Sequence, residues 1–141
     1  MRRALFLMLL LAFVLAGCGG GQASPTAPAT DTPEAVHEGW VAAMRANNRD
    51  ALLALAADQQ FNVEFVDGSL RPLRSLVNAG KYGPLVKVET GSLTDDSVGK
   101  TGVSVWTFER NVTCYRTILA TQGGAWKVTS WGVMARCPEK K

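Results

Sequence analysis

Apolar and polar positions along the chain change rhythm repeatedly. Residues 4–16 (ALFLMLLLAFVLA) form an unbroken apolar run behind Met1-Arg2-Arg3, and residues 19–32 (GGGQASPTAPATDT) have no apolar period at all. From Thr32 the pattern turns helical. Thr32 suits an N-cap, Pro33 the first helical position and Glu34 the positive end of a helix. Val36, Trp40, Ala43 and Met44 then recur at i, i+4, i+7 and i+8, which predicts an amphipathic helix to about Asn47. Asn48-Arg49-Asp50 breaks it. Asp50 is placed to cap a second helix that carries Leu52, Leu53, Leu55 and Ala56 and ends near Asp58.

Beyond that point the period shortens to two. Residues 61–66 (FNVEFV) alternate and predict a strand closed by Asp67-Gly68. Residues 70–79 suit a short helix starting near Pro72, with Gly80 beyond it. Gly83-Pro84 is a turn. Residues 85–93 alternate again, with Val86 and Val88 on one face. Thr94-Asp95-Asp96-Ser97 is a loop. Residues 102–109, 112–121 and 125–133 are rich in β-formers and predict strands, with a turn near Arg110-Asn111 and a hairpin turn at Gln122-Gly123-Gly124. Helices first and a run of strands afterwards argue for an α+β domain on a largely antiparallel sheet.

The apolar run at 4–16 has the length of a signal-peptide core and is too short for the ~20 residues of a spanning helix. It ends in Leu15-Ala16-Gly17-Cys18, which resembles the lipobox of bacterial lipoproteins. The resemblance implies that residues 1–17 are removed and that Cys18 is lipidated. It also implies an extracytoplasmic, membrane-anchored protein. Gly19 does not carry the Asp that commonly retains such proteins at an inner membrane, so outer-membrane sorting is permitted where an outer membrane exists. Each buried methylene contributes about 0.8 kcal/mol, and two or three acyl chains would hold the protein stably. Residues 18–31 then act as a tether, and as a flexible coil they reach about 20 Å. Residues 32–141 are the folded domain.

The chain has 141 residues, room for one domain, with 15 Lys+Arg against 12 Asp+Glu. Loss of Arg2 and Arg3 leaves 13 cations against 12 anions, a formal net of +1. That is no basis for nucleic-acid binding, which needs a clustered positive surface. Lys140-Lys141, with Arg136 nearby, reads as a solvated tail.

The order of elements, with Thr32-Pro33-Glu34-Ala35-Val36, Trp40, the Asn48–Leu55 segment and the closing Gly124-Ala125-Trp126-Lys127-Val128, resembles the nuclear transport factor 2-like superfamily, which includes ketosteroid-isomerase-like domains. The resemblance covers about residues 32–134. It implies a strongly bent sheet wrapped on a long first helix, forming a cone with a pocket at its wide end. It also implies functions that range from enzymes to dimerising interaction modules.

No constellation assigns catalysis. His37 is the sole histidine, at the edge of the first helix's apolar stripe; a base needs an orienting partner, and no fixed spacing supplies one. Asp95-Asp96 reads as turn chemistry rather than an acid–base pair. The isomerase-type Tyr and Asp set has no position-by-position match, and Tyr82 and Tyr115 are too isolated to assign. Glu64, Glu109, Asp95 and His37 are the ionisable residues whose burial inside the cone would favour an enzyme of isomerase, dehydratase or hydrolase type. No metal-ligand set, phosphate loop or dinucleotide fingerprint is present, so no metal or cofactor is expected. Trp40, Met44, Phe65, Trp106, Phe108 and Trp131 are candidates to line a pocket for a small apolar ligand, although aromatics in a small domain fill its core first. Cys114 and Cys137 remain. Outside the cytoplasm an even pair argues for a disulfide. Simple hairpin register would leave the two about 17 Å out of step, so the chain after Val133 must bend back, or both stay as thiols. The expected function is a lipid-anchored binding or interaction module for a small apolar ligand or an envelope protein. A cone-fold enzyme and a structural homodimer are the alternatives.

Overall fold

The computed structural model describes residues 32–57, 62–78 and 80–138. The signal peptide, Cys18 and the tether expected at 1–31, and Lys140-Lys141, lie outside the described residues. Three helices precede five strands: α1 (Pro33–Ala46), α2 (Arg49–Leu55), α3 (Asn62–Asn78), β1 (Leu85–Thr90), β2 (Thr94–Asp96), β3 (Gly99–Phe108), β4 (Asn111–Gln122) and β5 (Ala125–Val133).

α1 starts as its sequence dictates. The Thr32 hydroxyl accepts from the Ala35 amide at 3.2 Å, and Asn47 closes the helix in the left-handed region. α2 is capped two residues earlier than expected. The Asn48 side-chain oxygen accepts from the Ala51 amide at 3.1 Å, and Asp50 falls in the first turn instead. The helix ends at Leu55, short of Asp58, because the chain then joins the sheet. Ala56 is extended and bridges Val128 in parallel, and the Ala57 amide donates to the Val128 carbonyl at 2.8 Å. The Lys127 ammonium donates to the Ala54 carbonyl at 2.7 Å, which satisfies an open acceptor at the end of α2.

Phe61 lies outside the described residues; from Asn62 on, the strand expected at 61–66 is instead the start of α3, and the short helix expected from Leu70 is its continuation. The reason is visible in the spacing. Phe65, Val66, Ser69, Leu70 and Leu73 follow i, i+1, i+4, i+5 and i+8, a helical stripe, and the last four are buried. Alternation over a few residues around Val63 and Phe65 is a fragment of that stripe; Val63 itself is exposed. Pro72 lies inside the helix rather than at its start. Arg49 on α2 holds Asp67 on α3 with Nε–Oδ1 2.8 Å and Nη2–Oδ2 3.3 Å, and this guanidinium keeps the Asp67 carboxyl below its usual range.

The five strands pair antiparallel, ordered β1-β3-β4-β5, with β2 paired to the far end of β3. The loop expected at 94–97 is therefore partly a strand, and the residues of its tight turn are Ser97 and Val98. β1 is shorter than residues 85–93, and a register shift between Leu85 and Lys87 leaves Val86 exposed while Val88 packs inward. Gly123 and Gly124, both at positive φ, make the two-residue hairpin turn between β4 and β5.

One face of the curled sheet is buried. Ser104, Trp106 and Phe108 of β3, Tyr115, Thr117 and Leu119 of β4, and Val128 and Trp131 of β5 point to it. Val36, Trp40 and Met44 of α1 pack into that concave face, joined by Leu52, Leu55, Val66 and Leu70. Trp40 stacks on Phe65 with centroids 5.7 Å apart, which ties α3 to α1.

Cys114 and Cys137 form a disulfide, with Cα atoms 5.3 Å apart. The register objection is resolved by the tail. The Met134 amide donates to the Cys114 carbonyl at 2.8 Å, and the chain then turns back over three residues to bring Cys137 to Cys114 on the outer face. The bond closes a separation of 23 residues. Adding reductant should lower unfolding stability by about 3 kcal/mol in denaturant titrations, and Cys137→Ser should lower it equally without further loss on reduction.

Candidate functional site

The concave face is filled at one end by α1 and hollow at the other. A cavity of about 670 Å³ opens between α3 and the adjoining ends of β4 and β5. Phe65, Gly68, Ser69 and Pro72 of α3 form one wall. Thr113 and Tyr115 of β4 and Trp131, Gly132 and Val133 of β5 form the other, with Tyr82 and Glu64 at the edges. Tyr82 is positioned by the chain before β1. The Arg110 amide donates to the Tyr82 carbonyl at 2.9 Å, and the Arg110 guanidinium donates to the Gly80 carbonyl at 2.6 Å.

The cavity floor is aromatic. Tyr115 stacks on Trp131 with centroids 4.2 Å apart and meets Trp106 edge-on at 5.8 Å. The Tyr115 hydroxyl and the Trp131 indole N–H are both buried and have no hydrogen-bond partner among the described residues. Burial, with a smaller contribution from Tyr82, pushes the Tyr115 phenol up to about 12. It therefore stays protonated, a hydrogen-bond donor, at physiological pH.

The sequence candidates divide. Phe65 and Trp131 reach this cavity. Trp40 and Phe108 are core; Phe108 packs against Tyr82 at 6.1 Å. Met44 and Trp106 are nearly sealed and floor a separate groove beside Leu70 and Leu85. Tyr115, Tyr82, Gly68, Ser69 and Pro72 were not anticipated as lining residues. Tyr115 was within reach of reasoning: it shares strand parity with Thr113 and Thr117 on the inward face. The α3 residues were not, because the sequence reads as a strand to Val66, a turn at Asp67-Gly68 and a helix starting near Pro72, which does not set them on one face.

The four ionisable candidates do not converge. Glu64 rims the cavity on the exposed side of α3. Glu109 lies past the end of β3, packed against Gly83. Asp95 on β2 pairs with Lys100 at 2.7 Å. Its neighbour Asp96 accepts from the Ser97 amide at 2.6 Å and from the Thr101 hydroxyl at 3.1 Å, and these bonds hold its carboxyl below the usual range. Both carboxylates thus build the β2–β3 hairpin. Among the described residues, no group of three His, Cys, Asp or Glu side chains is placed to hold a metal ion. No helix of the described residues is long and apolar enough to cross a membrane.

His37 lies elsewhere, wedged between α1 and β3. Its ring needs Gly102: a Cβ there would come within 2.8 Å of both Cε1 and Nε2. The ring is 1% exposed, and among the described residues neither nitrogen makes a hydrogen bond of good geometry. Burial lowers its pKa; the nearby Val103 carbonyl and the Glu38 charge act in the opposite sense but do not prevail.

No family model and no curated protein matches the chain. Among solved structures, a provisionally assigned calcium/calmodulin-dependent protein kinase type II association domain from Thiobacillus denitrificans does. It is 14% identical, superimposes with a TM-score of 0.56, and the match covers 75% of this chain and 96% of that one. Three helices on a curled five-stranded antiparallel sheet are the nuclear transport factor 2-like cone, and this chain has that fold.

The burial of His37 has a measurable pH consequence. The unfolded chain protonates this residue near its ordinary value of 6.5, whereas the folded ring resists protonation. Its contribution to stability is complete above that value and is lost as pH falls toward the lower folded value. Denaturant midpoints should therefore decline as pH falls from 6.5 to 5, and His37→Gln should flatten that decline.

Proposed function

We propose that this protein is a membrane-tethered extracytoplasmic module that binds a small, largely apolar molecule in its cone. The carrying observation is the cavity beneath α3. Its volume suits a small ligand, and its walls are chiefly aromatic and aliphatic. The Tyr115–Trp131 stack gives that cavity a flat aromatic floor against which an apolar molecule can lie. The ionisable side chains that would support catalysis are dispersed and occupied or exposed, so the binding reading is preferred to the enzyme. The leader pattern ending in Leu15-Ala16-Gly17-Cys18 supports the tether and the compartment, and the disulfide accords with an oxidising one.

Self-association is a second reading. Val105, Ile118 and Ala120 are half-buried on the convex face and Val112 is exposed at its end. The fold neighbour from Thiobacillus denitrificans is itself named an association domain.

Native mass spectrometry of the full-length protein isolated from its host would read ligand mass and copy number together. Gly68 faces the cavity, and a Cβ there would meet nothing within 4 Å. Gly68→Trp should fill the space, abolish the copurifying ligand and leave the circular dichroism spectrum intact. Unchanged ligand content in that variant would refute the cavity as the site. For the tether, metabolic labelling with palmitate should mark the protein, and Cys18→Ser should remove the label entirely.

A further inference from the structure

On each side of the cone cavity stands a ring that is itself clamped by another ring. On the α3 wall Phe65 stacks on Trp40, with centroids 5.7 Å apart and an interplanar angle of 16°. On the sheet wall Trp131 stacks on Tyr115 at 4.2 Å and 7°. The strand register makes this second stack. Trp131 stands opposite Thr117, and Tyr115 opposite Val133. Trp131 and Tyr115 are therefore diagonal neighbours on the inward face, within reach of each other for aromatic side chains. Trp131 is the more exposed of the two, at 9% against 1%.

The sheet-side stack is also held from behind. Trp106 of β3 meets Tyr115 edge-on at 5.8 Å, and its indole N–H donates to the Ser104 hydroxyl at 3.0 Å. Ser104 is fully buried and stands directly opposite Tyr115 in the β3–β4 pairing. Its hydroxyl fixes the Trp106 indole, Trp106 braces Tyr115, and Tyr115 backs Trp131. Rings close-packed in this way do not turn to follow a puckered skeleton. They favour a guest that is already flat, since ring-on-ring contact contributes beyond the area it buries.

We propose that the cavity selects flat aromatic molecules over puckered aliphatic ones of the same skeleton, and that Ser104, which does not line it, is a positioning residue for that selection. The selection rests on the cone cavity being the binding site proposed above, and it names the class of molecule that site takes.

The compounds 2-naphthol and trans-decahydro-2-naphthol share one bicyclic skeleton and one hydroxyl and differ in flatness. In calorimetric titrations of the full-length protein, 2-naphthol should bind about fivefold more tightly than its decahydro form. Ser104→Ala leaves the Trp106 N–H without its acceptor. It should bring that ratio below about twofold, weaken the near-ultraviolet circular dichroism of the tryptophans, and leave affinity for the decahydro form nearly unchanged. Trp131→Leu should abolish the preference, and Trp131→Phe, which keeps a flat ring there, should retain most of it. Equal binding of the two compounds by the wild-type protein would overturn the selection while leaving the cavity as a general apolar site. A preference that survives Ser104→Ala would overturn the positioning role. Binding of neither compound up to about 1 mM, or binding that Gly68→Trp leaves intact, would overturn the selection and the cavity reading together.

Discussion

The packing of α1 into a sheet more curved than one helix can fill determines the rest of the molecule. Val36, Trp40 and Met44 occupy one part of the concave face. The remainder needs a second cover, and the Trp40–Phe65 stack brings α3 to it. A helix laid across the wider part of a bent sheet meets it only along one stripe, so space is left beneath. The cavity is a geometric remainder of the fold, and its chemistry is set by whichever inward residues of β4 and β5 happen to lie there. In this chain those are Tyr115 and Trp131.

The same constraint governs the polar groups that the concave face encloses. Inward positions of a cone must be apolar or satisfied. Ser104 meets that rule by accepting from the Trp106 indole at 3.0 Å, and Ser69 by donating to the Phe65 carbonyl at 2.8 Å. Trp40, Trp131, Tyr115, Thr117 and His37 each bury a polar atom that has no partner among the described residues. Tyr115 and Trp131 lie in the cavity wall, whereas Trp40 is deep in the helix–sheet contact.

Legibility in the sequence followed the strength of local signals. The Thr32-Pro33-Glu34 start, the Val36-Trp40-Met44 stripe and the Gly123-Gly124 turn each carry their own physics, and α1, β4 and β5 stand where those residues indicate. Sequence failed where a tertiary partner decides. Residues 61–66 read as a short strand, because alternation over so few residues is also what a fragment of a helical stripe leaves. Only the partners of Val66, Ser69 and Leu70 on the concave side make it helix. Asp95-Asp96 looked like a loop because the pairing of Thr94–Asp96 with β3 is invisible without Thr101 opposite. The cysteine pair was readable from compartment, but hairpin arithmetic argued against it, since nothing in the sequence shows the chain reversing after Met134. Of the candidate site, single aromatics could be named but not their facing, so Phe65 and Trp131 were separated from Trp40 and Phe108 only by the folded structure.

Pro72 carries a last consequence. Within α3 it has no amide hydrogen, so the carbonyl one turn earlier, that of Gly68, has no regular helical donor. Both residues belong to the same wall of the hollow. The α3 wall therefore carries a break in its own hydrogen-bond ladder at the place where it covers the hollow, and the helix is easiest to bend there.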